Sequence, residues 1–243
     1  VVTAAMDKEV GQRVTPPVRS VSQNRGPALP PPEAIAARAA RLHARGTEIL
    51  DRFERAQPGL EDRHEAVARR VFAQLLAPRR ALQIALELVD EHQQALGPMT
   101  PCRRGCTHCC HLRVEMTSLE AEQLGAAIGR RPNLRDRYMP VEPEAYGAAT
   151  PCPFLRGGAC SIYRHRPFAC RKHHTVDVDA LFCRHDLPAG YGHTLLQIPP
   201  GAALLAYGAA IEPAMRIGDI RDFFPGADQV ARGPGGRLPR AEE

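Results

Sequence analysis

The stretch PCRRGCTHCCHLRVE, residues 101–115, places four of the chain's eight cysteines within nine positions. Cys102, Cys106, Cys109 and Cys110 stand at C-x3-C-x2-CC. Thiolates are soft ligands, and spacings of two or three residues let a turn direct successive sulfurs at one metal. Arg103, Arg104 and His108 lie between or beside them, and positive charge lowers a thiol's pKa and helps hold an anionic cage. Successive side chains usually point different ways, so of the pair Cys109-Cys110 one is expected to serve a second centre or to stay free.

Four further cysteines follow at Cys152, Cys160, Cys170 and Cys183. All eight are candidate metal ligands, enough for one or two centres. Four tetrahedral thiolates suit zinc, and four thiolates also hold an iron-sulfur cube, so a zinc ion and an iron-sulfur cluster both stay open as cofactors. Disulfides are the weaker reading: no export signal opens the sequence, and a domain of this size does not need covalent staples. The triplet Cys102, Cys106, Cys109 has the spacing used by radical enzymes dependent on S-adenosylmethionine, but helical sequence precedes it and His108 stands where those enzymes usually carry an aromatic residue.

Outward from the cysteines the sequence predicts helices. On the N-terminal side, residues 1–32 hold six prolines and read as a disordered tail. From Glu33 the positions Ile35, Ala39, Leu42, Ile49, Leu50 and Phe53 recur at helical spacing until Pro58-Gly59. A second run places Val67, Val71, Phe72, Leu75 and Leu76 on one face. A third follows Pro78, a residue suited to a first helical turn, and carries Leu82, Ile84, Leu86, Leu88 and Val89. These runs form an expected helical segment over 33–98.

The cysteine-rich domain is expected over 99–190. Within it Thr117-Ser118-Leu119-Glu120 reads as a capping box opening a helix that ends near Gly129. Gly157-Gly158 signals a turn, and residues 160–163 a short strand or tight turn. TVDVDAL, if extended, sets Asp177 and Asp179 on one side, where with Asp186 they are candidates to orient an imidazole. A C-terminal helical segment over 191–225, helical after Pro200, precedes a flexible tail over 226–243. The expected fold class is therefore mostly α: a helical N-terminal segment packed on a compact cysteine-rich metal-binding domain with little regular β structure.

Beyond the cysteines, CPFL at 152–155, C-x-IY at 160–163 and RPFACR at 166–171 complete an ordered pattern. Together with C-x3-C-x2-CC, it closely resembles the cysteine-rich family of zinc- or iron-chelating proteins, which includes the conserved region of flagellin lysine N-methylases. The resemblance spans roughly residues 100–185 and implies metal binding. Pro153 and Pro167 stiffen the chain near two cysteines, while Phe154, Leu155, Ile162, Tyr163 and Phe168 would exclude water. Arg164, Arg166 and Arg171 are candidates to bind the cofactor, by hydrogen-bonding cysteine sulfurs or by holding an anion beside them. His108, His111, His173, His174 and His185 could each replace a thiolate or act as a base.

Other function classes lose support. There is no phosphate loop, no G-x-G-x-x-G after a strand, no H-E-x-x-H and no nucleophile elbow. The net charge of +5 is modest and the arginines are scattered, which argues against nucleic acid. No run of eighteen apolar residues is present, so no membrane association is expected and the cytoplasm is the expected location. Two readings stay in play: a structural or carrier metal protein whose helices meet a protein partner, and a metal- or cluster-dependent modifying or redox enzyme. Nothing in the sequence sets the oligomeric state.

Overall fold

A computed structural model describes residues 28–134, 150–187 and 197–226. The expected tails at 1–32 and 226–243 lie almost wholly outside the described residues.

Helix α1 (Pro32–Ala56) starts on a proline at its first turn, where the missing N–H costs nothing. It buries Ile35, Leu42, Ile49 and Phe53 along one stripe, each worth about 1.5–3 kcal/mol of transfer free energy. Leu50, read as part of that stripe, is on the half-exposed flank. Gly59, with φ of +69°, turns the chain into α2 (Leu60–Ala73). Here the buried face is Leu60, His64, Ala68 and Val71, and it corrects the expected face. Phe72 is 44% exposed, and Leu75, beyond the helix end at φ of +44°, is 88% exposed. Helix α3 (Pro78–Leu96) again begins on proline and buries Leu82, Leu88, Val89 and Leu96. Two reciprocal pairs clasp α2 to α3: His64 Nε2 lies 2.8 Å from Glu91, and His92 Nδ1 lies 2.8 Å from Glu61.

The capping box forms as expected. Strand β1 (Glu115–Thr117) leads into α4 (Ser118–Ile128), with the Thr117 hydroxyl accepting from Glu120 N–H and the Glu120 carboxylate accepting from Thr117 N–H. Gly129, φ +67°, ends the helix in the left-handed conformation. A tight hairpin joins β2 (Leu155–Arg156) to β3 (Ala159–Cys160) through Gly157 and Gly158, both at positive φ, as a two-residue turn of this kind requires. Short helix α5 (Phe168–Lys172) carries Cys170. Helix α6 (Gly201–Ala209) follows Pro200. Strand β4 (Ile217–Asp219), not anticipated from the sequence, pairs antiparallel with β1 and runs into α7 (Ile220–Phe223).

The described residues are mostly helical with little regular β structure. Helices α2, α3 and α6 pack around Ala68, Ala85, Ala203 and Ala206, small residues that let the helices approach closely, with Phe168 of α5 in the same cluster. Helix α1 packs through Ile35, Leu42 and Phe53 in a cluster with Val176, Leu181 and Phe182. A third cluster holds Cys110 and Cys152 among Val114, Phe154, Ile162, Ile220 and Phe223. Among the described residues no helix is long and apolar enough to cross a membrane.

Candidate metal centre

The first cysteine segment is built from two tight turns. Cys106 N–H donates to Arg103 C=O at 3.0 Å, with Gly105 at φ of +97° in the position where a side chain would be strained. Cys109 and Cys110 then lie in a 3-10 turn, His108–His111. The second segment returns beside it, with Cys152 N–H donating to the Cys110 carbonyl at 2.7 Å. A buried ion pair locks this junction. Arg221 and Asp219, each with a side chain only 1% exposed, bond at 2.9 Å, and Arg221 also donates to the carbonyls of Cys110, Leu112 and Thr150. Asp219 accepts from Val114 N–H at 2.7 Å. Neither residue was singled out in the sequence, although the D-x-x-D spacing of Asp219 and Asp222 is itself a capping signal.

Cys170 is held by a different device. The Glu120 carboxylate, besides capping α4, accepts from Phe168 N–H at 2.8 Å and from the Tyr207 hydroxyl at 2.5 Å. Tyr207 stacks on Phe168 at 4.4 Å between centroids. One buried carboxylate thus ties β1, α4, α5 and α6 together, and burial pushes its pKa above the usual carboxylate range. Cys183 sits in a 3-10 turn, Leu181–Cys183, which Asp179 caps by accepting from Leu181 N–H at 2.8 Å.

All eight cysteines are free thiols, and they line two adjoining cavities. The inner one, about 20 Å³, is walled by Cys110, Cys152, Cys160 and Cys170 with apolar Val114, Ile162 and Ile220. The outer one, about 80 Å³, is walled by Cys102 and Cys183 with polar Gln93, Arg103, Arg171 and His173. Cys106, Cys109, Tyr163 and Arg166 face both. A larger groove of about 420 Å³ between α1, α3 and residues 197–201 contains no thiol.

The electrostatics follow the same division. Contacts with the sulfurs of Cys109, Cys152 and Cys160, together with burial, push the Cys110 pKa far up. Those contacts pull Cys109 down to about 7, Cys160 down to about 6 and Cys152 below the usual thiol range. Backbone N–H groups of Phe154 and Ile162 donate to Cys152 and Cys160, which also favours thiolate. Burial pushes the Cys170 and Cys183 thiols up; Cys183 is further raised by the charges of Cys102, Cys106 and Cys109. Cys109 and Cys110 therefore meet rather than diverge as their adjacency suggested, because the 3-10 turn brings both sulfurs to the inner cavity.

The three candidate arginines separate. Arg166 faces both cavities; its positive charge helps lower Cys109 and Cys160 and only partly opposes the burial that raises Cys102 and Cys170. Its guanidinium lies 3.9 Å from the Tyr163 ring centroid, and its Nε donates to Tyr163 C=O. Arg171 lines the outer cavity but is committed to the Asp90 carboxylate and to the carbonyls of Arg166 and Arg164. Arg164 is exposed and lines neither cavity.

The histidines separate too. His174 is fully buried, donates from Nδ1 to Lys172 C=O at 2.9 Å and accepts at Nε2 from Ile198 N–H at 2.8 Å. Burial lowers its pKa to about 4, so it is neutral. His111 stacks on His185 at 4.4 Å, and neither they nor His108 line the two cavities. The segment of Asp177 and Asp179 is bent rather than a strand. Both carboxylates grip Arg38 of α1 at 2.5–2.8 Å, and Asp186 pairs with Arg184, so none of the three is bonded to an imidazole.

Among the described residues no group of three or more His, Cys, Asp or Glu side chains stands where it would hold a metal ion as placed. Comparison with curated proteins and with solved structures gives no match. Residues 101–186 do match a family model, CxxCxxCC, described as a putative zinc- or iron-chelating domain; neither it nor any other match names a flagellin lysine N-methylase. The chain therefore carries a cysteine-rich domain of the zinc- or iron-chelating kind, bounded by the first cysteine turn and the loop after Cys183.

Proposed function

We propose that the chain is a thiolate metal-binding protein, taking zinc or an iron-sulfur cluster in one or two centres, with a structural or carrier role. The observation that carries the reading is that eight free thiols from well-separated segments line two adjoining small cavities. The donor set fits a thiophilic metal: three of its sulfurs are lowered toward thiolate, backbone N–H groups point at two of them, and the Arg166 charge lies beside the group. Cys110, Cys152, Cys160 and Cys170 would serve the inner centre, and Cys102, Cys106 and Cys183 the outer one, with Cys109 at the junction. A bound ion would pull these side chains inward and tie the segments 102–110, 152–160 and 170–183 into one unit, so binding and folding are coupled.

The outer cavity favours a second reading, a modifying or redox enzyme, because His173, Gln93 and Arg166 would flank a centre there. The experiment that tests the proposal is elemental analysis with an absorption spectrum on the chain purified without oxygen. Zinc in stoichiometric amount on colourless protein supports a structural centre. Iron with acid-labile sulfide and absorption in the visible supports a cluster and brings the enzyme reading forward. Protein that is folded, metal-free and unable to take up either metal overturns the proposal.

A further inference from the structure

The two adjacent histidines after α5 are in opposite situations. His174 uses both ring nitrogens on backbone groups. His173, one residue earlier, lines the outer cavity, and its Nε2 is buried with no hydrogen-bond partner. A buried ring nitrogen left unpaired is destabilising, and such atoms are uncommon in folded proteins. Its other nitrogen, Nδ1, lies 3.5 Å from the Gln197 side-chain amide. With that amide turned so that its oxygen accepts from Nδ1–H, the lone pair is on Nε2, the arrangement usual for an imidazole that ligates a metal.

The backbone explains how one short segment serves two cavities. Helix α5 ends at Lys172, and His173 is extended, φ −74° and ψ 121°. Cys170 within the helix faces the inner cavity, while His173 beyond its end faces the outer one. The outer cavity also has only two thiols of its own, Cys102 and Cys183; Cys106 and Cys109 are shared, and the Cys109 sulfur is engaged with Cys110.

We infer that His173 Nε2 is the fourth donor of the outer centre, beside Cys102, Cys106 and Cys183, so that the chain pairs an all-sulfur inner centre with a mixed sulfur-nitrogen outer one. The inference rests on the metal-binding reading above. Three thiolates and one imidazole are an ordinary tetrahedral set for a divalent first-row ion such as zinc. Cys109 then stays with the inner group.

The test is zinc(II) loading of the full chain without oxygen, read in two ways. Long-range proton–nitrogen spectra should show His173 as a single neutral tautomer ligated at Nε2, an effect reversed by a chelator. H173A should lose one bound zinc per chain, H173C should keep it, and C109S should keep the outer ion. A wild-type imidazole spectrum that ignores zinc, or full metal content in H173A, overturns the assignment while leaving the metal-binding reading in place. Wild-type protein that takes up no zinc overturns the assignment, and protein that takes up neither zinc nor iron overturns the metal-binding reading as well. The spectrum of the wild type decides the question even if H173A does not fold.

Discussion

Replacing Glu120 with alanine tests how the cysteine-bearing helix α5 is held. The carboxylate is buried and accepts from Thr117 N–H at 3.0 Å, Phe168 N–H at 2.8 Å and Tyr207 O–H at 2.5 Å. Loss of the capping box costs about 1 kcal/mol. The Phe168 N–H has no intrahelical acceptor, since it opens α5, and leaving it and the Tyr207 hydroxyl unpaired in the interior costs about 1–3 kcal/mol each. Against this, removing a buried carboxylate relieves its own desolvation. The net expectation is about 3–5 kcal/mol, with E120Q losing less because it keeps one carbonyl acceptor. Urea unfolding of E120A and E120Q against the parent measures it. Metal content should fall in E120A, because α5 carries Cys170. A loss below about 1 kcal/mol with unchanged metal would refute the account of Glu120 as the anchor.

The other predictions concern charge and ligation. Burial raises the Glu120 pKa above its unfolded value, so its contribution is fully present below about pH 4.5 and is lost as pH rises through the folded value. The stability difference between parent and E120Q should therefore widen on acidification, and a pH-independent difference would contradict the shift. R221M strands the Asp219 carboxylate and should cost about 3–5 kcal/mol in urea unfolding, while a D219N/R221M double variant should recover part of it; equal losses in both would show that the pair is not coupled. C106S and C160S should each lower bound metal and soluble yield together by elemental analysis. Normal metal content and melting temperature in both would sink the ligation scheme.

Much of the helical framework was legible because its signals are local. Pro78 at a first turn, Pro58-Gly59 and Gly129 at helix ends, and the Thr117–Glu120 box each act within a few residues, whereas Pro32, read as the end of a tail, is the first residue of α1. The α2 face was misread because Phe72, Leu75 and Leu76 look like core by composition, whereas α6 covers the side bearing Ala68. Small residues buried between helices leave little trace in a hydropathy pattern. Strand β4 escaped notice for a related reason: three residues are too few for a periodicity, and their partner lies about a hundred positions earlier.

For the site, the sequence by itself determined the thiol inventory and the chelating family pattern, since thiol chemistry and C-x2-C or C-x3-C spacing are properties of a few consecutive residues. Only the tertiary structure decided how the thiols are grouped, that Arg166 faces both cavities while Arg164 faces neither, and that His173 rather than His174 has a free nitrogen at the thiols. The physical reason is that these outcomes depend on where distant segments return. That return is held by the bonds of Arg221 to the carbonyls of Cys110, Leu112 and Thr150, by Glu120 on Phe168 and by Arg38 on Asp177 and Asp179, interactions that span tens of residues or more and leave no mark in local spacing.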